Sequence, residues 1–157
     1  MSDPRIRPIE SSHIADLIRI AEETNLNRWS ANGYLDELRN PHSIMLRLES
    51  PDNLTIGFIV GRLVAANDDH EAVDAEIYNI GVEIAEQRRG LGQALLDAFV
   101  AECSSREVRA IWLEVRESNE AALSVYERNG FERVTVRRDF YADPRENGIL
   151  MRCWLKR

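Results

Sequence analysis

Hydrophobic and polar positions follow two rhythms along this chain, and the switch between them separates a first part from a second. Ile6-Arg7-Pro8-Ile9 reads as a short strand that its proline confines to a sheet edge. Ile14, Leu17, Ile18 and Ala21 then recur at helical spacing, and Ser11-Ser12 offers that helix an N-cap. A second, shorter helix is predicted with Ser30 as its cap, Tyr34, Leu35 and Leu38 facing inward, and an end before Pro41. Alternation at Ser43 to Glu49 and a β-branched run at Thr55 to Ala66 flank the turn residues Pro51-Asp52-Asn53, which predicts an antiparallel hairpin. Asn67 to Asp74 is polar and acidic and reads as an exposed loop.

From there the order becomes strand (Glu76 to Val82), loop, helix (Gly92 to Ser105), strand (Val108 to Val115), helix (Asn119 to Asn129), strand (Phe131 to Arg138) and strand (Ile149 to Lys156). Strands alternating with helices predict an α/β class, a central mixed sheet covered by helices on both faces. A length of 157 residues, 44% of them hydrophobic, fits a single domain over residues 1–157, and no repeat, low-complexity tract or linker divides it.

Charge narrows the function classes. With 30% charged residues and a formal net charge of -7, the chain has no uncharged run long enough to reach across a bilayer. Met1-Ser2-Asp3-Pro4-Arg5 has no apolar run behind it, so nothing suggests export and the cytoplasm is the expected location. Non-specific nucleic-acid binding needs a clustered excess of Lys and Arg, which is missing, whereas an acidic surface attracts a cationic partner such as a basic peptide or a polyamine. Cys103 and Cys153 stand without neighbouring Cys or His at metal-ligand spacing, so they read as reduced, half-buried packing residues and no metal is expected. His13, His42 and His70 read as surface residues, Trp29 and Trp154 as core or rim packing, and Met45 and Met151 as core fillers.

The most informative stretch is Gln87-Arg88-Arg89-Gly90-Leu91-Gly92-Gln93-Ala94, between an apolar strand and a helix with Leu91, Ala94, Leu95, Ala98 and Phe99 on its inner face. Two glycines free the backbone to aim its amides at one point, and the helix start adds a partial positive charge there. Such a cradle suits a pyrophosphate, with Arg88 or Arg89 supplying charge-assisted hydrogen bonds. Taken alone, Gly-x-Gly is equally a tight strand-to-helix turn that binds nothing. A dinucleotide fingerprint needs a small residue where Leu95 stands, and a phosphate-binding P-loop needs Lys-Ser/Thr where Gln93-Ala94 stands, so neither fits.

The segment Gln87 to Gly92 resembles the Q/R-x-x-G-x-G/A acetyl-CoA loop of the GNAT superfamily of N-acetyltransferases. Tyr78-Asn79-Ile80-Gly81-Val82, Trp112-Leu113-Glu114-Val115-Arg116, Ser118-Asn119-Glu120-Ala121-Ala122, Tyr126-Glu127-Arg128-Asn129-Gly130-Phe131 and Arg137-Arg138-Asp139-Phe140-Tyr141 follow in the order of its RimI type, the ribosomal-protein N-terminal alanine acetyltransferases. The resemblance covers roughly residues 76 to 153; before that only Arg28-Trp29-Ser30 is similar to the early helix of the type. It implies the GNAT fold, acetyl-CoA as cofactor, and direct transfer to a protein N-terminal amine. It implies that the Ile80, Gly81 and Val82 backbone pairs with pantetheine while the Val82 amide holds the thioester carbonyl. The amides of Gly90, Leu91, Gly92 and Gln93, with Arg88 and Arg89, would take the diphosphate, and Asn119 would bond the pantetheine arm.

For the chemistry, strand alternation sends Ile111, Leu113 and Val115 to one face and Trp112, Glu114 and Arg116 to the other. An ordinary strand glutamate there pairs with Arg109 or Arg116 in solvent; the resemblance makes Glu114 the general base. Tyr126, on a helix beside Ala122, Val125 and Asn129, is by spacing a packed aromatic, and by resemblance the acid that protonates the departing thiolate. Asn119 is by position an N-cap. The Arg137 to Ile149 segment, with Tyr141 in it, reads as a loop forming one wall of a peptide groove. Two alternatives stay open: acetylation of a small amine such as a polyamine, amino acid or aminoglycoside, and a non-catalytic acyl-CoA-binding module, which would have no use for both Glu114 and Tyr126.

Overall fold

The computed structural model describes residues 4–26 and 29–155. The opening Met1-Ser2-Asp3, Arg28, and Lys156 at the end of the last expected strand lie outside the described residues. Elements follow in the order β1 (Arg5–Pro8), α1 (Ile14–Glu23), α2 (Ala31–Arg39), β2 (Ser43–Glu49), β3 (Thr55–Ala65), β4 (Val73–Val82), α3 (Leu91–Ser105), β5 (Ala110–Arg116), α4 (Glu120–Arg128), β6 (Glu132–Ala142) and β7 (Arg145–Trp154). The seven strands form one mixed sheet in the order β1-β2-β3-β4-β5-β7-β6. β4 and β5 run parallel, while β1/β2, β2/β3, β5/β7 and β6/β7 are antiparallel. The α/β reading and the edge position of the proline-bearing strand are both realised. The chain divides into two compact units, Met1–Arg62 with Tyr78–Arg106, and Leu63–Ile77 with Glu107–Arg157.

In the first unit, Ile14, Leu17, Ile20 and Ala21 of α1 and Tyr34 of α2 bury against Met45, Phe58 and Val60 of the β2/β3 hairpin. Met45 stands opposite Val60 and Arg47 opposite Phe58, so this is one face of the hairpin; Leu48, opposite Gly57, belongs to the other. A Cβ on Gly57 would meet Leu48 and Val82 Cγ2, and Val82 Cγ2 is also the nearest atom to the Cβ position of Gly92 in α3. Helices therefore cover both faces of this unit. Ser30 caps α2 as expected, its Oγ accepting from the Gly33 amide at 3.0 Å, which contributes about 1 kcal/mol. The start of α1 differs from expectation: Ser11–His13 form a 3₁₀ turn, and His13 Nδ1 accepts from the Glu10 amide at 3.0 Å. Glu10 and His13 thus set the entry that Ser11-Ser12 was expected to cap.

The second unit departs from the sequence reading in two places. Asp74, placed in an exposed loop by its polar neighbours, is buried in β4, which begins at Val73. Its carboxylate accepts from Arg109 Nε at 3.1 Å and Trp112 Nε1 at 3.0 Å, partners remote in sequence that make a buried charge tolerable. The Arg137 to Ile149 segment is not a loop but most of an antiparallel hairpin, β6 with β7. The turn residues misled: Asp139, at φ 51°, is absorbed in a register shift between Arg137 and Tyr141, while Asn147 Oδ1 accepts from the Asp139 amide at 2.9 Å. Cys103 and Cys153 are buried rather than half-buried. His42 and His70 are exposed, whereas His13 is half-buried.

The sheet of the second unit has two unlike faces. Ile111, Leu113 and Val115 of β5 and Ile149, Met151 and Cys153 of β7 are buried, as is Leu123 of α4. Register places Glu114 opposite Leu150, and Arg116 opposite Gly148, on the other face. That face carries charge.

Candidate active site

The first unit contributes backbone. After β4, Ile84–Glu86 makes a 3₁₀ turn held by the Ile84 amide on Glu23 Oε1 at 2.7 Å, and Gln87 Nε2 donates to the Val82 carbonyl at 2.9 Å. Arg88 at φ 66° and Gly90 at φ 75° then reverse the chain into α3. Gly90 is the N-cap and supplies no side chain to the first turn, so the amides of Leu91, Gly92 and Gln93 lack the partners a capping side chain would give. A Cβ on Gly90 would meet nothing within 4 Å, and on Gly92 only Val82 at 4.0 Å. Uncapped amides at the head of a 15-residue helix, facing open space, fit the several oxygens of a diphosphate.

Around this loop Arg88 is exposed, and Arg89 is exposed and paired with Glu86. The Gln93 side chain donates to Asp97 at 2.9 Å and the Leu91 side chain is buried, so what both can offer is an amide. Gly81 has a local reason to be glycine: a Cβ would lie 2.9 Å from Leu26 Cδ1 and 3.3 Å from Thr24 Oγ1, at the end of α1. The expected close approach is therefore that of the chain itself. Ile80 is half-buried and Val82 buried.

The second unit contributes side chains. Glu114 leaves the apolar row of β5 as alternation requires, yet neither expected partner holds it. Arg109 bonds Asp68 and Asp74, and Arg116 bonds Glu146 and the carbonyls of Asp143 and Pro144. Instead Arg137 Nη1 lies 3.2 Å from Glu114 Oε1, while Oε2 is buried and takes no hydrogen bond from the described residues. Burial pushes the Glu114 carboxyl above the usual range, Arg137 pulls it down, and Glu76 pushes it up again.

Tyr126 packs edge-on against Phe131, ring centroids 5.6 Å apart, because Gly130 at φ 90° closes α4 and the Phe131 amide returns to the Tyr126 carbonyl at 3.0 Å. The ring is half-buried, and the protein packed around it pushes the phenol up to about 12, with Tyr141 adding to the effect. Tyr141, buried beneath the Arg116 guanidinium at 4.3 Å, is likewise pushed up to about 12 by burial and then by the Glu114 charge. Asn119 does cap α4, its Oδ1 accepting from the Ala122 amide at 3.1 Å, which leaves its NH₂ group for a second partner. Among the described residues no group of three or more His, Cys, Asp or Glu is placed to hold a metal ion. No helix among them is long and apolar enough to cross a membrane.

Sequence reasoning missed Arg137 and Glu76 as the groups that set the state of Glu114. Only strand register brings them together, and no local spacing signals it.

The amides at the head of α3 face open space, and the half-buried Glu114 keeps one carboxylate oxygen without a hydrogen bond among the described residues. The model of the acetyltransferase (GNAT) family matches residues 14–131, and the chain belongs to this family. It is 32% identical over 153 residues, 96% of this chain and 98% of the relative, to the [ribosomal protein bS18]-alanine N-acetyltransferase of Haemophilus influenzae. The protein so named from Escherichia coli K12 is 46% identical over 80 residues, a match that spans 50% of this chain and only 54% of that relative. The crystal structure of the ribosomal-protein-S18-alanine N-acetyltransferase from Escherichia coli superposes with a TM-score of 0.84 at 29% identity, covering 98% of this chain and 95% of that one.

Proposed function

We propose that this chain acts as a single catalytic domain that acetylates the α-amine of a protein N-terminus, drawing the acetyl group from acetyl-CoA. The observation that carries the reading is Glu114: a carboxylate raised toward neutrality by burial, one oxygen gripped and the other bare. When bound, acetyl-CoA supplies a thioester carbonyl open to attack by a neutral amine. The amides of Leu91, Gly92 and Gln93, with Arg88 and Arg89, hold the diphosphate; Asn119 and the Ile80 to Val82 backbone orient the rest. Glu114 takes the amine proton on Oε2, directly or through one water. Tyr126, its phenol pushed up to about 12, stays protonated across the working range and gives its hydroxyl proton to the departing sulfur.

An α-amine suits this base better than a lysine, because its reference pKa is about 8 against about 10.4. Formal charge of -7 favours a basic acceptor, and likeness to relatives named for ribosomal-protein alanine acetylation supports a ribosomal protein as substrate, in the cytoplasm. The test is mass spectrometry after incubation with labelled acetyl-CoA and competing acceptors. A basic peptide starting with Ala is expected to be labelled at its first nitrogen; label on polyamines, amino acids or aminoglycosides instead would overturn the acceptor, and label on nothing would overturn the enzyme.

A further inference from the structure

The charged face of the second unit shows how Glu114 acquires its partner. Arg137 stands on β6, two strands from β5, and must cross β7 to reach Glu114. The residue of β7 opposite both Arg137 and Arg116 is Gly148, which has no side chain to stand in the way. A Cβ there would lie 3.2 Å from Phe140 Cβ and Cδ2, so the Phe140 ring occupies the space a side chain would need. The Arg137 guanidinium lies over that ring, 5.6 Å from its centroid, and reaches Glu114 Oε1 at 3.2 Å. The two nearer arginines are committed elsewhere: Arg116 to Glu146, and Arg109 to Asp68 and Asp74.

We propose that Arg137 is a positioning residue for the transfer: gripping Oε1, it fixes the carboxylate with Oε2 free to accept the amine proton. Gly148 and Phe140 form the track that guides it there. The inference rests on the reading of Glu114 as the base. Glu114 is faced by Glu76 from β4 and by Arg137 and Tyr141 from β6; Arg116, two residues along its own strand, is bonded to Glu146 of β7, and that pair acts on Tyr141. Of these, Arg137 is the cation that makes direct contact. Without it, burial and Glu76 act unopposed in the same direction, and the carboxyl holds its proton to higher pH. A buried oxygen without a donor is costly, so Oε2 gains most when the amine or a water arrives to bond it.

The experiment pairs two readouts on the full chain: the pH profile of kcat/KM for a basic Ala-starting peptide at saturating acetyl-CoA, and the Glu114 carboxyl titration by carbon NMR, assigned against Glu114→Gln. Arg137→Ala is expected to move the acid limb and the NMR midpoint together to higher pH; each unit of movement lowers kcat/KM below the limb about tenfold. Arg137→Lys, which keeps the charge, is expected to restore most of the position, and Gly148→Ala to reproduce the shift by displacing Phe140. Arg137 is half-exposed, and matched melting temperatures confirm that the variants fold. An Arg137→Ala protein whose limb and midpoint stay in place overturns the inference, even if its rate falls, since peptide contact alone lowers rate without moving a titration. Full turnover in Glu114→Gln overturns the base reading instead, so the two failures are told apart.

Discussion

The loop from Val82 to Gln93 and the face around Glu114 solve opposite problems. On the proposed reading the loop binds with backbone: its amides carry fixed partial charge, need no titration, and are aimed by φ values of 66° at Arg88 and 75° at Gly90. On the same reading the Glu114 face works with a side chain whose protonation is set by burial and by charges on two other strands. A backbone site is robust to pH and sensitive to added atoms, whereas a side-chain site tolerates small changes in shape and is sensitive to charge. Substitutions of matched size and opposite chemistry test that contrast.

The largest effect is expected at the proposed base. Glu114→Gln preserves shape and removes the proton acceptor, so kcat/KM is expected to fall about 10²–10⁴-fold while acetyl-CoA affinity, measured by calorimetry, stays within error. Because burial raises this carboxyl, the folded state favours its protonated form, and stability contributed by that preference is lost as pH rises through the folded value. Glu114→Gln is therefore expected to melt no lower than the parent at neutral pH, with any advantage shrinking toward acid. The same shift places the acid limb of kcat/KM above the ordinary glutamate value of about 4.3, and a limb at or below it would separate Glu114 from the chemistry.

Next in size is Tyr126→Phe. A thiolate leaves readily, so a loss in kcat near the lower bound for general acids is expected, about a hundredfold, with the base limb of the profile removed. On the backbone side, Gly92→Val adds atoms where, among the described residues and outside its own helix, Val82 at 4.0 Å is the neighbour met. Folding has little to lose there, so the melting temperature is expected to hold while acetyl-CoA dissociation rises about tenfold, or about 1.4 kcal/mol. A variant that melts earlier with affinity intact would mean that the glycine serves the turn and not the cofactor.

The same contrast explains what the sequence reveals. The loop is legible because its requirement is written locally: Gly90 needs a positive φ, Gly92 needs room, and both fall at a strand-to-helix junction. Glu114 is legible as a residue that leaves the apolar row of its strand, because alternation is a local rule. Its partner is not, since Arg109 and Arg116 are near in sequence whereas Arg137 arrives through the β5-β7-β6 order. Asp74 is hidden for the same reason: an acidic neighbourhood reads as solvent until Arg109 and Trp112 close on it. The hairpin over Arg137 to Ile149 is disguised by Asp139, Asn147 and Gly148, which serve a register shift and a clearance rather than a loop.

The finest test falls on Asn119, where backbone and side-chain roles meet in one residue. Its Oδ1 caps α4 through the Ala122 amide, and its NH₂ is the donor proposed to bond pantetheine. Asn119→Asp keeps an equivalent cap, since Asp and Asn rank together at this position, but it turns the donor into an acceptor. The melting temperature is then expected to hold while the KM for acetyl-CoA rises by the worth of one neutral hydrogen bond, about threefold to tenfold. Asn119→Ala removes both, so the same rise in KM comes with a stability loss of about 1 kcal/mol in urea unfolding. If Asn119→Asp leaves KM unchanged and Asn119→Ala loses only stability, the residue is a cap and nothing more, and the cofactor's middle is held by strand backbone alone.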